Sequence, residues 1–326
     1  VIVCAYTMRR WDDVQAAVES VRAQPENPEV VLVIDHSDEL LTAARRRWPE
    51  LHVIPNAGER GLSGARNTGV AAASGDIVAF LDDDARAEDG WLAPLLAPFT
   101  DEDVVGVGGV AEPIWPGATG SGPYPDELLW IVGCSYTGLP TEFSEVRNVI
   151  GCSMAFRRAS IIAAGGFSSG IGRVGTHPLG CEETDLCIRI RQVDPTAKIH
   201  HEPASRVRHR VSDDRVTMDY VRKRSYYEGI SKAVLSRRLG RKDSLSSESA
   251  YLTRVLPGAL LRELTHPAKG GLRRASAIVV TVATIMTGYA VGTVIAPRVA
   301  ADPVPVPGPD AMAAASGSSD RSAALR

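Results

Sequence analysis

The sequence is poor in cysteine, and the five it holds are scattered, at Cys4, Cys134, Cys152, Cys181 and Cys187. No CxxC pair occurs and no histidine spacing near them builds a zinc site. An odd, dispersed set in a chain of 326 residues reads as reduced, buried thiols, which points to a cytosolic compartment. A charge excess is also missing: Lys and Arg number 36 against 39 Asp and Glu, a net charge of −3. That balance argues against a nucleic-acid partner, whose domains are strongly basic. No internal repeat is visible, and no cleaved signal peptide is seen; VIVCAY, which opens the sequence without Met, already reads as a strand. Composition is otherwise ordinary for a globular protein, at 44% apolar and 23% charged residues, enough for one large domain or two modest ones.

Periodicity organises the first hundred residues. Val1–Ala5 and the unbroken apolar run Val30–Ile34 read as strands, the latter buried on both faces. His52–Pro55 and Asp76–Leu81 (DIVAFL) follow as further strands. Helices are expected over Trp11–Ala23, Glu39–Trp48 and Ala65–Ala73. Strand–helix alternation of this kind specifies a parallel sheet with helical crossovers. The Pro- and Gly-rich stretch from Glu112 to Pro125 reads as a loop. A strand signal returns over Val146–Phe156 and a helix over Arg157–Ala164, stopped by Gly165–Phe167. From about Asp213 the chain becomes basic and helical, and beyond Pro297 its Pro, Ala, Ser and Asp content predicts disorder.

Two groups of acids carry chemical meaning. Asp82, Asp83 and Asp84 directly follow DIVAFL, at the strand ends where open parallel sheets bind ligands. Adjacent carboxylates repel unless solvated or neutralised, and oxygen ligands suit Mg²⁺ or Mn²⁺. A solvated turn accounts for them equally well. Asp35 ends a second strand at the same edge, or caps the next helix. Between them, Gly61–Gly69 allows close backbone approach, and Arg66 offers a fixed cation for phosphate; the stretch lacks both the P-loop lysine and the dinucleotide spacing. Further on, Glu182 and Glu183 begin a helix, where acids favour the dipole or one serves as a general base. His209 ends a short basic strand and could complete a divalent-ion shell.

Taken together, these segments resemble glycosyltransferase family 2 from Val1 to about Leu239. The opening CAYT is similar to the family's nucleotide-contacting first strand, without its usual Pro and Asn. IDHSD resembles its second acidic segment, and GLSGARNTGVAAASGDIVAFLDDD follows the family almost residue for residue. CEETDL resembles the acceptor-site motif, with Glu183 where many members have Asp. The resemblance implies an α/β GT-A fold over residues 1–212 with a mostly parallel central sheet. It implies an inverting transfer of sugar from a nucleotide diphosphate donor, UDP above all, in glycan or cell-envelope biosynthesis. Tyr6 and Asp35 would then hold the nucleobase, Arg66 would approach the diphosphate side, Asp83 would contact the ribose or metal, and Ala5, Thr7 and Asp82 would belong to the same nucleotide-sugar site. Asp84, Asp82 and His209 would hold Mn²⁺ or Mg²⁺. Glu183, or else Glu182, would act as base on the acceptor hydroxyl, beside an acceptor pocket formed by Trp130, Gly151, Cys152 and Asp185. RNVIGCSMAFRR and RSYYEGISKAVLSRR are similar to members acting on lipid-linked sugars, the glucosyl-dolichyl-phosphate glucuronosyltransferase group. That similarity implies a saccharide or polyprenyl-linked acceptor.

One uncharged stretch, Ala275–Pro297, is long enough to cross a bilayer at about 1.5 Å per residue. Its Gly288 and Gly292 form a GxxxG pair suited to close helix packing. Lys269, Arg273 and Arg274 before it would leave the catalytic domain at the cytoplasmic face. The expected organisation is a catalytic domain, a basic helical extension over 213–272 lying on the membrane surface, a membrane-associated helix over 273–297, and a disordered tail over 298–326. Two other functions compete: a Mg²⁺-dependent phospho- or nucleotidyltransferase using Asp82–Asp84, and a sugar-nucleotide-binding partner without turnover.

Overall fold

The structure is a computed structural model describing residues 1–117, 124–169, 180–240, 251–265 and 271–299. Its first third is the expected alternation: β1 Ile2–Ala5, α1 Trp11–Arg22, β2 Val31–Ile34, α2 Asp38–Arg47, β3 His52–Pro55, α3 Leu62–Ala72 and β4 Ile77–Asp82. Local chemistry explains each piece. In α1, Val14, Ala17, Val18 and Val21 share one buried face, the helical spacing of an amphipathic segment. In α2, Ser37 caps the N-terminus by accepting from Leu40 N–H, acids fill the first turn and Arg45–Arg47 the last, which suits the helix dipole. All of β2 is buried, as a strand covered on both faces must be.

Strands β3, β2, β1 and β4 pair in parallel, with Ala5 beside Ile34 and Cys4 beside Asp82. The carboxyl ends of β1, β2 and β4 therefore share one rim, and Tyr6, Asp35 and Asp83 follow them there. Side chains of β4 alternate between two cores: Ala79 and Leu81 pack with Val14, Leu40 and Trp91, while Val78 and Phe80 pack with Phe156, Phe167 and Leu186, the two-residue period of a strand.

Beyond β4 the sheet departs from a parallel one. Its further strands are β5 Ala85–Ala87, β6 Val104–Ile114, β7 Ser144–Glu145, β8 Ser153–Arg157 and β9 Lys198–Arg210. The sheet order is β3-β2-β1-β4-β8-β6-β9-β5, with β7 on β9, and β8 runs antiparallel to both its neighbours. The strand β6 was not legible in sequence, and the loop expected from Glu112 begins after it. Glycine hid it: a Cβ on Gly106 would stand 2.6 Å from Phe156, and one on Gly108 2.5 Å from Val149. Large neighbours occupy the space that strand side chains normally fill. Likewise β8 starts at Ser153 rather than Val146.

The remaining helices are α4 Leu92–Leu96, α5 Arg158–Ala163, α6 Glu182–Val193, α7 Met218–Leu239, α8 Leu256–Thr265 and α9 Gly271–Val299. A 3₁₀ segment covers Asp126–Val132 and a π turn Tyr251–Val255. After α5, Gly165 and Gly166 take positive φ of 81° and 76°, the glycine stop expected there. The C-terminal helices join the catalytic body through a cluster that includes Leu128, Ile131, Val221, Leu256 and Ile278. The tail expected to be disordered lies outside the described residues beyond Val299, as does Lys269.

Candidate active site

Strand register assembles the site. Ala85 of β5 pairs with His209 of β9, so the residue before Ala85 meets the imidazole: Asp84 Oδ1 stands 3.2 Å from His209 Nε2. Ligand atoms of Asp82, Asp84 and His209 all lie within 4.8 Å of one another. Two carboxylates and an imidazole form a donor set that fits a Mn²⁺- or Mg²⁺-sized cation. Asp83 Oδ2 is buried beside this donor set without a hydrogen-bond partner among the described residues, an acceptor left open to a further group.

Arginines absent from the sequence expectations balance these acids. Arg10 stands 2.9 Å from Asp83 Oδ1 and 3.0 Å from Asp84 Oδ2, and Arg215 lies 3.4 Å from Asp84. Arg10 also covers the Tyr6 ring at 5.5 Å. The only sequence signal for them is position, one just after β1 and the other just after β9. Burial pushes the Asp83 carboxyl up to about 7, helped by the neighbouring Asp84 charge. Burial acts the same way on Asp84, but His209, Arg10 and Arg215 override it and hold that carboxyl well below its ordinary range. Burial disfavours the charged imidazole of His209, yet Asp84 outweighs it and pushes the pKa up to about 10.

On the opposite side, Arg66 is 2% exposed. Its guanidinium holds Asp82 Oδ1 and Glu182 Oε1, each at 3.2 Å, and the Gly151 carbonyl at 3.0 Å. It also lies against the Phe80 and Phe167 rings at 5.8 and 5.4 Å. Arg66, expected on the diphosphate side of the donor, is here an internal tie between two acidic segments. The glycines around it serve the protein's own packing, since a Cβ on Gly69 would fall 2.5 Å from Ile2 and one on Gly64 2.0 Å from the Glu59 carbonyl.

Glu182 is thereby fixed to Arg66. Glu183 is only half-buried, and desolvation together with the Glu182 charge pushes its carboxyl up to about 8. Both begin α6 behind Cys181, a non-glycine residue at a φ of +74°. That left-handed turn, rare for a side-chain-bearing residue, sets the direction in which the first turn of α6 presents its acids.

The donor-side expectations are placed along the rim. Tyr6 is 54% exposed, while Thr7 caps a 3₁₀ turn by accepting from Arg9 N–H at 3.3 Å. Ala5 is buried, and its carbonyl accepts from Asp35 N–H at 2.7 Å. Asp35 accepts from Asn56 Nδ2 at 2.7 Å and from Gly61 N–H at 2.9 Å. The φ of +130° at Gly61 is one that glycine permits.

The acceptor-side expectations divide. Trp130 is half-buried, donates to Tyr251 Oη at 3.1 Å, and has the Arg224 guanidinium over its ring at 5.6 Å. The segment carrying it ends at Gly133, where a Cβ would stand 3.6 Å from the His209 ring. Gly151 adjoins Arg66. Cys152, however, is buried with its thiol on the Gly133 carbonyl at 3.6 Å, and Met154 is core. Asp185 is fully enclosed, accepting from Ser168 at 2.6 Å and Arg189 Nε at 2.8 Å. Neither Cys152 nor Asp185 presents a side chain to an acceptor, because i, i+4 pairing turns Asp185 toward Arg189 on the inner face of α6. A cleft of about 400 Å³ opens on the outer flank of Asp84, lined by Asp12, Asp13, Arg86, Trp115 and Arg210.

Comparison with known proteins identifies the family. The description "Glycosyl transferase family 2" matches residues 1–164. The glucosyl-dolichyl phosphate glucuronosyltransferase of Haloferax volcanii is 31% identical over 301 residues, covering 90% of this chain and 95% of that protein. A pre-mycofactocin glycosyltransferase of Mycobacterium tuberculosis is 28% identical over 237 residues, which is 72% of this chain and 46% of that one. Among solved structures, a mannosyltransferase from Pyrobaculum calidifontis in complex with GDP-mannose and Mn²⁺ superposes with a TM-score of 0.56 at 17% identity, over 90% of this chain and 86% of that chain. GalNAc-T7 with UDP, GalNAc and Mn²⁺ gives 0.50 at 18% identity, over 78% and 56%. At such identities the structures speak for the fold. Sequence and architecture converge, and the chain belongs to glycosyltransferase family 2, a glycosyltransferase built on the GT-A fold.

Proposed function

We propose that the enzyme is an inverting transferase that takes a sugar from a nucleoside diphosphate donor, UDP by preference. The acceptor is a hydroxyl of a saccharide or polyprenyl-linked saccharide, at the cytoplasmic face of a membrane, in glycan or cell-envelope biosynthesis. The observation that carries this reading is the division of labour at Arg66: it ties Asp82 to Glu182 and leaves Glu183 as the acid of raised pKa beside them. The name of the Haloferax volcanii relative, a transferase acting on a dolichyl phosphate-linked sugar, supports the acceptor class.

Tyr6 and Asp35 bind the base and Asp83 the ribose, while Asp82, Asp84 and His209 are the residues that would hold a divalent cation. When bound, that cation supplies charge stabilisation to the departing diphosphate. Trp130 and Gly151 border the acceptor. The acceptor oxygen attacks the anomeric carbon from the face opposite the diphosphate, and the bond to the diphosphate breaks as the new C–O bond forms. The acceptor proton passes to Glu183, whose raised pKa makes it a stronger base than an ordinary carboxylate. One displacement inverts the anomeric centre.

Purified full-length protein, incubated with Mn²⁺, a panel of nucleotide sugars and polyprenyl phosphate-linked sugars, should release UDP and form a product of inverted configuration by NMR. Release of inorganic phosphate or diphosphate from the donor, or retained configuration, contradicts the proposal.

A further inference from the structure

Among the described residues α9 is the one helix long and apolar enough to cross a membrane by length and composition. Its surroundings tell against crossing. A Cβ on Gly288 would stand 2.0 Å from the Tyr226 carbonyl, one on Gly229 2.2 Å from the Ile285 carbonyl, and one on Gly292 2.7 Å from Ala233. The middle of α9 is thus in backbone contact with α7, and the GxxxG pair is consumed within the chain. In turn α7 is fastened to the catalytic body: Ser231 Oγ accepts from Gly180 N–H at 3.2 Å, and Arg238 reaches Ser168 at 3.4 Å. The same stretch of α7 carries the Arg224–Glu228 ion pair at 2.8 Å. Centring α9 in hydrocarbon would carry those charges, and the catalytic body behind them, toward the bilayer midplane, where charged groups are strongly disfavoured.

The opposite face of α9 is open. Leu272, Val279, Met286, Val291 and Val294 are 37–77% exposed, at steps of seven, seven, five and three residues that keep them on one side of a helix. No charge interrupts α9 between Arg274 and Arg298. On neighbouring α8, Leu261 and Leu264 are 66% and 49% exposed, and Arg254 and Arg273 are exposed on the adjoining segments. An apolar stripe with basic residues beside it matches an anionic bilayer surface in both hydropathy and charge.

We propose that α9 lies flat in the interfacial layer of an anionic bilayer, with α8 beside it, and does not cross. The inference rests on the membrane association proposed above and makes it specific. It also gives the acceptor a route. Trp130 is bonded to Tyr251, at the start of the turn leading into α8, so a polyprenyl-linked sugar reaches the acceptor wall sideways from the bilayer.

Nitroxide labels on Ser276→Cys, Ala283→Cys and Ala290→Cys of the full chain test the orientation on phosphatidylcholine–phosphatidylglycerol vesicles. The outer two positions are about 21 Å apart along the helix axis, so a crossing helix yields a depth gradient of that order, which would overturn the inference alone. Depths agreeing to about 5 Å support it. Met286→Glu should lower vesicle partitioning at least about tenfold by removing an inserted apolar side chain, with thermal melting and turnover of a water-soluble acceptor unchanged. Undiminished partitioning of that variant also overturns the inference. Failure of the unmodified protein to bind vesicles removes the membrane-association reading together with it.

Discussion

His209 Nε2 stands 3.2 Å from Asp84 Oδ1 because the residue after Asp84 is the β-ladder partner of His209 itself. The two groups are held by backbone pairing, supplemented by the Arg210 N–H bond to the Asp84 carbonyl at 2.8 Å. Backbone pairing keeps both groups in place, and a cation that binds them must displace the proton that Asp84 holds on His209.

Asp84→Ala and His209→Ala should each lower Mn²⁺-dependent turnover by about 10²–10³-fold, the scale of removing one element of transition-state charge stabilisation. Steady-state kinetics of UDP release, with Mn²⁺ affinity by calorimetry, check this. Near-normal rates in Asp84→Ala would contradict its role as a ligand.

The pKa of Glu183, near 8, fixes a sign. The base form is the carboxylate, so kcat/KM should climb as pH rises toward about 8 and level off above it. Glu183→Gln should cost about 10²–10⁴-fold and abolish that acidic limb. Stability moves the other way. A carboxyl whose folded pKa lies above its unfolded value loses stability as pH rises between the two. The melting temperature of Glu183→Gln should therefore gain on the wild type from about pH 4.5 to pH 8. A pH profile identical in both proteins would remove Glu183 as the base.

Arg66→Met should destabilise the fold by about 3–5 kcal/mol, since it leaves Asp82 and Glu182 without their buried partner. Urea denaturation measures it. The same variant should lose turnover even under conditions where it is folded, because Asp82 and Glu182 are no longer held by one cation.

Gly288→Leu places a side chain where even a Cβ would stand 2.0 Å from the Tyr226 carbonyl. The α7–α9 pair must separate, at about 1–3 kcal/mol for overpacking. Limited proteolysis should then cut the C-terminal helix faster than in the wild type, while turnover of a soluble acceptor changes little.

Much of this protein can be read directly along the chain. The apolar run VLVI, the amphipathic period of α1 and the Ser37 cap are local effects of neighbouring residues, so β1 to β4 and α1 to α3 are legible to within a few residues. The acids at the ends of β2 and β4 are legible too, because parallel pairing sends those ends to one rim. The family resemblance likewise sits in contiguous motifs.

Other features depended on partners distant in the chain. Strand β6 is glycine-rich because Phe156 and Val149 fill its faces, which no local pattern records. The tie between Arg66 and Glu182 spans 116 residues, so no local pattern announces it. Asp185 had the position of an acceptor contact, but Arg189 and Ser168 enclose it. The GxxxG pair in α9 announced close packing without naming its partner, which proved to be α7 of the same chain. Periodicity and capping act over a few residues and are written in order along the chain, whereas burial and charge pairing are decided by whatever the fold brings alongside.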